Sequence, residues 1–240
     1  MLLETRHLCF RYSPVFQALT DVSVAVPQGG TLGIVGESGC GKSTFAKVVT
    51  GLLKPTSGEV WFEGVALARS RSARRHIQMV FQDAAGSLNP RMTIRQTLEE
   101  VQRVHGIASR TGELLDAVGL PSRVLEAYPR ELSGGQCQRA SIARCLALSP
   151  RLLIADEPVS ALDVSVQARI LNLLAELRER LGLAIVLISH DLAVVRTLCD
   201  RVAVIERGVI VEQGEPRELF AAPRHPYTRR LVDAVPVLPI

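Results

Sequence analysis

Gly36-Glu37-Ser38-Gly39-Cys40-Gly41-Lys42-Ser43, with Thr44 behind it, is the stretch whose residue types and spacing most directly permit chemistry. It has the form G-x-x-x-x-G-K-[ST], a turn that cradles phosphate groups. Glycines let successive backbone N–H groups turn inward with no Cβ in the way, so several donors converge on phosphate oxygens. A helix starting behind them adds the positive end of its dipole. Lys42 brings a point charge suited to β- and γ-phosphates, and Ser43 a hydroxyl suited to Mg2+. The flanks agree. Thr31-Leu32-Gly33-Ile34-Val35 reads as a buried strand leading in, and Phe45 to Leu52 as a helix leading out. A helix N-terminus lowers a thiol pKa, so Cys40 is expected to take a maleimide unless Mg-ATP covers it.

Leu152-Leu153-Ile154-Ala155-Asp156-Glu157 is the second signal, an apolar strand ending in two adjacent carboxylates. Strand alternation sends neighbouring side chains to opposite faces. One carboxylate could then hold Mg2+, directly or through water, while the other faces a nucleophile; the plain alternative is a solvated acidic turn. Ile77 to Phe81 is strand-like and ends at Gln82. That amide could reach Mg2+ or a water beside the γ-phosphate, or simply end a strand. Leu183 to Ile188 is a further buried strand, followed by Ser189-His190-Asp191. Parallel strands align their carboxyl ends along the edge where α/β sheets bind ligands. His190 would then lie near the γ-phosphate, with a structural histidine as the alternative. Ser133-Gly134-Gly135-Gln136 has the capping-box form and opens a helix through about Leu148. Glycine costs about 1 kcal/mol against alanine inside a helix. Two at a helix start make sense where the bare end approaches an anion, though a loop plus cap is possible. Tyr12, assigned to a loop between N-terminal strands, could stack on adenine or be an ordinary surface tyrosine.

These groups must be positioned by a chain of 240 residues, long enough for one domain or a domain plus a subdomain. Hydrophobic residues make up 47% and the mean hydropathy is +0.20. No apolar run approaches the roughly 18 residues of a spanning helix. Strands buried on both faces of a parallel sheet account for the apolar character. The first residues lack the basic start and apolar stretch of a signal peptide, so a cytosolic chain is expected. Five cysteines without C-x-x-C spacing indicate neither a disulfide framework nor a zinc site. Arg69, Arg71, Arg74 and Arg75 cluster, but few aromatics interleave, so a solvated helix or turn is expected rather than a nucleic-acid patch. Residues 1 to 26 alternate apolar and polar, which suggests antiparallel strands. Helices concentrate between about 93 and 148, starting at the Thr93-to-Gln96 capping box, with another from Thr111 stopping at Gly119. A long helix runs from Val164 to Leu181 and stops at Gly182, and a hairpin turns about Arg207-Gly208.

Five motifs therefore stand in one order: Gly36–Ser43, Gln82, Leu132-Ser133-Gly134-Gly135-Gln136, Asp156-Glu157 and His190. In this the chain resembles the ATP-binding subunits of ABC transporters, over about residues 1 to 215. Gly86-Ser87-Leu88-Asn89-Pro90-Arg91 and His225-Pro226-Tyr227-Thr228 resemble the oligopeptide, dipeptide and nickel importer group, the first more like its peptide members. Two departures stand out. Many members carry a longer, cysteine-bearing tail, so no iron–sulfur site is expected in the tail here. Cys137 also stands where arginine is common.

The resemblance implies an α/β fold: a P-loop core with a mostly parallel sheet, an N-terminal antiparallel β subdomain and an inserted helical subdomain. It implies one domain over 1–240, with 1–85 and 150–212 as nucleotide-binding core, 86–149 as the helical subdomain, and 213–240 as a C-terminal extension. It further implies ATP and Mg2+. Tyr12 would stack on adenine; Gly36, Glu37, Ser38, Gly39, Cys40, Gly41, Lys42, Ser43 and Thr44 would hold the nucleotide. Ser43, Gln82 and Asp156 would organise Mg2+. Glu157 would be general base, with His190 and Gln82 placing water and γ-phosphate. Ser133, Gly134, Gly135, Gln136 and Asp163 would act on nucleotide bound to a second ATP-binding subunit, a different chain in this group. The groove near 83 to 105 would receive a helix from one of two permease subunits, with a periplasmic substrate-binding protein as indirect partner. The place implied is the cytoplasmic face of the bacterial inner membrane. Peptide uptake is the expected task, with nickel or a metal chelate as alternative cargo. A soluble ABC ATPase acting on nucleic acid or the ribosome usually has two ATPase domains or a zinc insertion, and neither is visible in the sequence. Glu157 and His190 argue against a non-hydrolysing subunit.

Overall fold

The computed structural model describes residues 1–160 and 162–234; Ala161, residues 235–240 of the expected C-terminal extension and the Arg71 side chain lie outside the described residues. In chain order the elements are β1 (Leu3–Ser13), β2 (Phe16–Val22), β3 (Ala25–Val26), β4 (Thr31–Val35), α1 (Lys42–Val49), β5 (Ser57–Phe62), β6 (Val65–Ala66), α2 (Arg71–Arg74), β7 (Ile77–Val80), α3 (Ala84–Ser87), α4 (Ile94–Val104) and α5 (Thr111–Ala117). There follow α6 (Gly134–Leu146), β8 (Leu152–Asp156), α7 (Val164–Leu181), β9 (Ala184–Ile188), α8 (Leu192–Leu198), β10 (Arg201–Glu206), β11 (Val209–Gly214), α9 (Pro216–Ala221) and α10 (Pro226–Asp233). They form two compact units, Met1–Arg74 with the chain from Ala184 onward, and Arg75–Leu183.

In the first unit β1 pairs antiparallel with β2, β3 and β5, the N-terminal antiparallel sheet expected from the alternating pattern. Leu3 and Thr5 point inward, then Leu8 and Phe10. The phase changes at His7, whose φ of +49° puts an extra residue into the strand, as a bulge does. The strand continues through Ser13, so Tyr12 lies on β1 and not in the following turn. Parallel strands β10 and β9 flank β4, while β11 turns back antiparallel on β10 as the Arg207-Gly208 hairpin. All five residues of β4 are buried, as the unbroken apolar run requires of a strand covered on both faces. Its start is pinned by two reciprocal bonds: Thr31 N–H donates to the Asp200 carboxylate at 2.8 Å, and Asp200 N–H to the Thr31 hydroxyl at 2.7 Å. Arg69, Arg74 and Arg75 are exposed, as a solvated segment requires.

In the second unit β7 and β8 pair in parallel, Ile77 opposite Leu152 and Met79 opposite Ile154. Helix α6 packs on β7, where the Cys145 thiol donates to the Met79 carbonyl at 3.3 Å. It also packs on α3, where the Arg144 guanidinium donates to the Ser87 carbonyl. The capping box at Thr93 starts α4, with Thr93 Oγ1 accepting from Gln96 N–H at 3.2 Å and the Gln96 side chain accepting from Thr93 N–H at 2.9 Å. Asp163 caps α7, and Gly182 ends it at φ +62°, a conformation glycine adopts without a Cβ clash. The two units part at Arg74/Arg75 and Leu183/Ala184.

Gly33 at the middle of β4 lets α8 approach closely. A Cβ there would collide with Val195 Cγ1 and meet Cys199 Sγ at 3.2 Å. Gly33→Ala is expected to destabilise the chain by about 1–3 kcal/mol through overpacking. Adding Val195→Ala should recover part of that loss. Chemical denaturation of the three variants checks this, and a Gly33→Ala protein as stable as the parent would contradict the close approach.

Candidate active site

The phosphate loop spans the carboxyl end of β4 and the start of α1, as its flanking patterns require. Lys42 is 5% exposed. Its Nζ donates to the Gly36 carbonyl at 2.7 Å and the Glu37 carbonyl at 2.8 Å. Gly208 N–H donates to the Cys40 carbonyl at 2.8 Å, so the β10–β11 turn braces the loop. Gly41 stands before α1 at φ +111°, and a Cβ on it would lie 2.6 Å from the Ala18 carbonyl oxygen. Only glycine satisfies both the conformation and the clearance. Glu37, Ser38, Gly39 and Ser43 are exposed, while Gly36, Cys40 and Thr44 are buried. The crest of the loop thus faces outward and its two ends are anchored.

Two more of the expected residues belong to this unit. The Tyr12 hydroxyl is 3.2 Å from Thr44 Oγ1, which ties the aromatic to the end of the loop. Tyr12 is 52% exposed, and its ring stacks on Phe16 at 5.9 Å and meets Phe10 edge-on at 4.8 Å. An exposed aromatic platform beside a phosphate loop is chemically fit to take a flat base. His190 follows β9, whose Ile188 is in register with Ile34 of β4, so it leaves the sheet at the edge where the phosphate loop begins. Asp191 accepts from Ala193 N–H at 2.8 Å and Val194 N–H at 3.3 Å, capping α8. That cap holds the turn from which exposed His190 projects.

The remaining residues stand in the second unit. Asp156 ends β8 and is 5% exposed. Glu157 has left the strand, with φ +46°, a region costly for a residue with a side chain. The alternation argument therefore stops at Asp156; a backbone turn, not the pleat, aims Glu157. Gln82 Nε2 reaches Glu157 Oε2 at 3.4 Å and Ser160 Oγ at 3.2 Å, while Ser160 Oγ donates to the Glu157 carbonyl at 3.2 Å. Ser160, unassigned from sequence, links the two.

Ser133 caps α6, its hydroxyl accepting from Gln136 N–H at 3.3 Å and the Gln136 side chain accepting from Ser133 N–H at 2.9 Å. Ser133 and Gly134 are exposed. The glycines also have a packing cause: a Cβ on Gly134 would lie 3.1 Å from Leu162 Cδ2, and one on Gly135 2.5 Å from Val166 Cγ1. Asp163 Oδ1 accepts from Val166 N–H at 3.0 Å and the Ser165 hydroxyl at 2.8 Å, and these bonds hold its carboxyl below the usual range. A cleft of about 380 Å3 is lined by Gln82, Asp83, Gly134, Gln138, Pro158 and Leu162 among others. The Nε2 atom of buried Gln138 has no hydrogen-bond partner in the structure.

Residues 19–160 match the model of the ABC transporter family. The chain belongs to that family. Residues 211–239 match a second model, the C-terminal region of oligopeptide/dipeptide transporters. The oligopeptide transport ATP-binding protein OppF of Escherichia coli is 47% identical over 233 residues, which cover 92% of this chain and 70% of OppF. Among solved structures, cbiO1 of Clostridium perfringens, part of the ABC transporter complex cbiONQ, superposes with a TM-score of 0.81 at 31% identity, covering 92% of this chain and 90% of cbiO1. The ATP-binding cassette MJ0796, a dimer in a post-hydrolysis state with ADP and Pi, superposes at 0.79 and 29% identity, over 90% of this chain and 99% of that one. The chain is therefore an ABC ATPase with the mixed α/β fold of that family, and ATP is its substrate. Among the described residues no helix is long and apolar enough to cross a membrane.

Membership in a family with a phosphate loop does not make the loop cysteine reactive. Cys40 is 8% exposed. Burial pushes its thiol above the ordinary value; the nearby Lys42 ammonium pulls the other way and does not overcome it. The expectation of an activated thiol is corrected accordingly, because burial outweighs the helix N-terminus. Alkylation of Cys40, followed by peptide mass spectrometry, is expected to be slow at neutral pH and to keep rising through the range where ordinary thiols level off. A plateau near neutral pH would reveal an activated thiolate and overturn this.

Proposed function

We propose that this chain is the ATP-hydrolysing subunit of an importer of oligopeptides or dipeptides, seated on the cytoplasmic face of a bacterial inner membrane. The observation that carries the cargo class is the match of residues 211–239 to the C-terminal region of peptide transporters, added to the resemblance to OppF. Two permease subunits and a second ATP-binding subunit complete the assembly, with a periplasmic binding protein delivering the peptide. The cleft beside Gln82 and Asp83 is the place for a permease helix, because it joins the Gln82 turn to the α6 terminus.

The residues fit the ligands proposed for them. Lys42 and the outward loop amides hold phosphate charge, and Tyr12 offers its ring to adenine. Ser43, Gln82 and Asp156 present hydroxyl, amide and carboxylate oxygens, the hard donors Mg2+ takes. Among the described residues no group of three or more His, Cys, Asp or Glu could hold a metal ion. Mg2+ is commonly held by one or two carboxylates together with substrate phosphates and water. When bound, Mg2+ neutralises charge developing on the β- and γ-oxygens. Glu157 accepts the proton of the attacking water, and Gln82 and His190 orient that water against the γ-phosphate. Phosphoryl transfer asks mainly for such positioning and charge neutralisation. Ser133, Gly134, Gly135, Gln136 and Asp163 complete the site of the second subunit, their own loops being exposed at the α6 and α7 starts.

Glu157→Gln in the purified complex is expected to keep ATP binding and to lower turnover about 10²–10⁴-fold, the usual range for a lost general base. Near-parental ATPase activity would refute the assignment. The cargo is tested by uptake. Deleting this subunit should abolish accumulation of labelled oligopeptides by the cells that make it, whereas intact peptide uptake with lost nickel uptake would reassign it.

A further inference from the structure

One hydrogen bond joins the phosphate loop to the far end of the chain. Glu37 N–H donates to the Tyr227 hydroxyl oxygen at 2.8 Å. Tyr227 sits on α10 and is 2% exposed. Its place is fixed from several directions. The Arg230 guanidinium lies 5.5 Å from its ring centroid and reaches Glu206, at the end of β10, at 3.4 Å. His225 Nδ1 accepts from Tyr227 N–H at 3.2 Å and so caps α10. The Glu212 carboxylate on β11 accepts from Arg224 N–H at 3.0 Å and His225 N–H at 3.1 Å. Burial pushes the Glu212 carboxyl up, yet these backbone bonds prevail and hold it below its usual range. Helix α10 is thus fastened to the same hairpin whose Gly208 braces Cys40.

The hairpin and the helix grip different parts of the loop. Gly208 holds the loop at Cys40, close to α1, and Tyr227 holds it at Glu37, where the chain leaves β4. Glu37 N–H is already committed to the phenol, so it is not one of the amides turned toward phosphate. Tyr227 therefore acts on the shape of the loop and not by touching the nucleotide. Burial raises the phenol above its ordinary value, so the hydroxyl stays neutral through the physiological range.

We propose that Tyr227 is a positioning residue for ATP: its hydroxyl fixes the Glu37 amide, and through it the C-terminal region sets how well the phosphate loop is preorganised for nucleotide. The pairing separates hydroxyl from ring. Tyr227→Phe keeps the buried ring and removes only the acceptor. In the assembled, purified complex it is expected to weaken binding of a non-hydrolysable ATP analogue and raise the KM for ATP by about 3- to 10-fold, the range of one hydrogen bond. The kcat should stay within about twofold, because the reacting groups are untouched. The melting temperature without nucleotide should move by less than about 2 °C, whereas Tyr227→Leu, which also loses ring packing, should lower it further. Unchanged nucleotide affinity in Tyr227→Phe would overturn the proposal. So would a fall in melting temperature with affinity intact, which marks a purely structural tyrosine, or a fall in kcat with KM unchanged.

Discussion

A loop that converges its amides on one point cannot also satisfy its own carbonyls, and the first unit is arranged around that constraint. Buried backbone polar groups need partners. Here Gly36 and Glu37 carbonyls are taken by Lys42, and the Cys40 carbonyl by Gly208 N–H. Each partner comes from an element whose position is fixed elsewhere. Lys42 opens α1, and Gly208 turns a hairpin whose first strand runs parallel to β4. The same turn gives its carbonyl to Thr20 N–H of β2 at 2.8 Å, tying the antiparallel sheet to the loop. A rigid β4 alone would place the loop but not hold its shape.

The second unit meets a different constraint. A reactive carboxylate must face its target without being neutralised by a structural partner. In the proposed mechanism Asp156 and Glu157 divide the work, and backbone geometry sets them apart. Asp156 remains on the strand and is buried, while Glu157 turns off at φ +46°. A left-handed non-glycine residue costs roughly 1–2 kcal/mol. It is held by the buried Pro158 that follows and by the Ser160 hydroxyl on its carbonyl. Gln82 reaches the Glu157 carboxylate at 3.4 Å, a long contact. Its exposed side chain can exchange that contact for another with little loss.

What the sequence made legible was local. Capping boxes at Thr93 and Ser133 and the Gly182 stop all follow from neighbours within four positions, and each appears where expected. The buried strands were legible because an unbroken apolar run needs cover on both faces. The strands framing Tyr12 and Glu157 were harder. A bulge at His7 shifts the phase of β1, and a turn at Glu157 ends the alternation one residue early. Cys40 was misjudged because the folded loop packs it against Gly36 and Lys42 and the distant Gly208 turn closes on its carbonyl, and residue spacing does not report that burial. Tyr227 was visible as part of a subgroup motif, but its partner lies 190 positions away, and no periodicity reports a contact of that range.

The start of α6 shows how a structural and a functional cause can share residues. Gly135 leaves no room for a Cβ beside Val166, and a Cβ on Gly134 would crowd Leu162. The cap itself is closed by Ser133 and Gln136 within the chain. The helix end therefore needs no nucleotide to form. Ser133 and Gly134 are exposed there, and the positive end of the helix dipole lies at that terminus. In the proposed two-subunit site this matters energetically. A surface that must order on binding loses affinity to that ordering, whereas a preformed one keeps it. The interaction between nucleotide and the α6 start can then go into drawing the subunits together, which is the motion an importer has to generate.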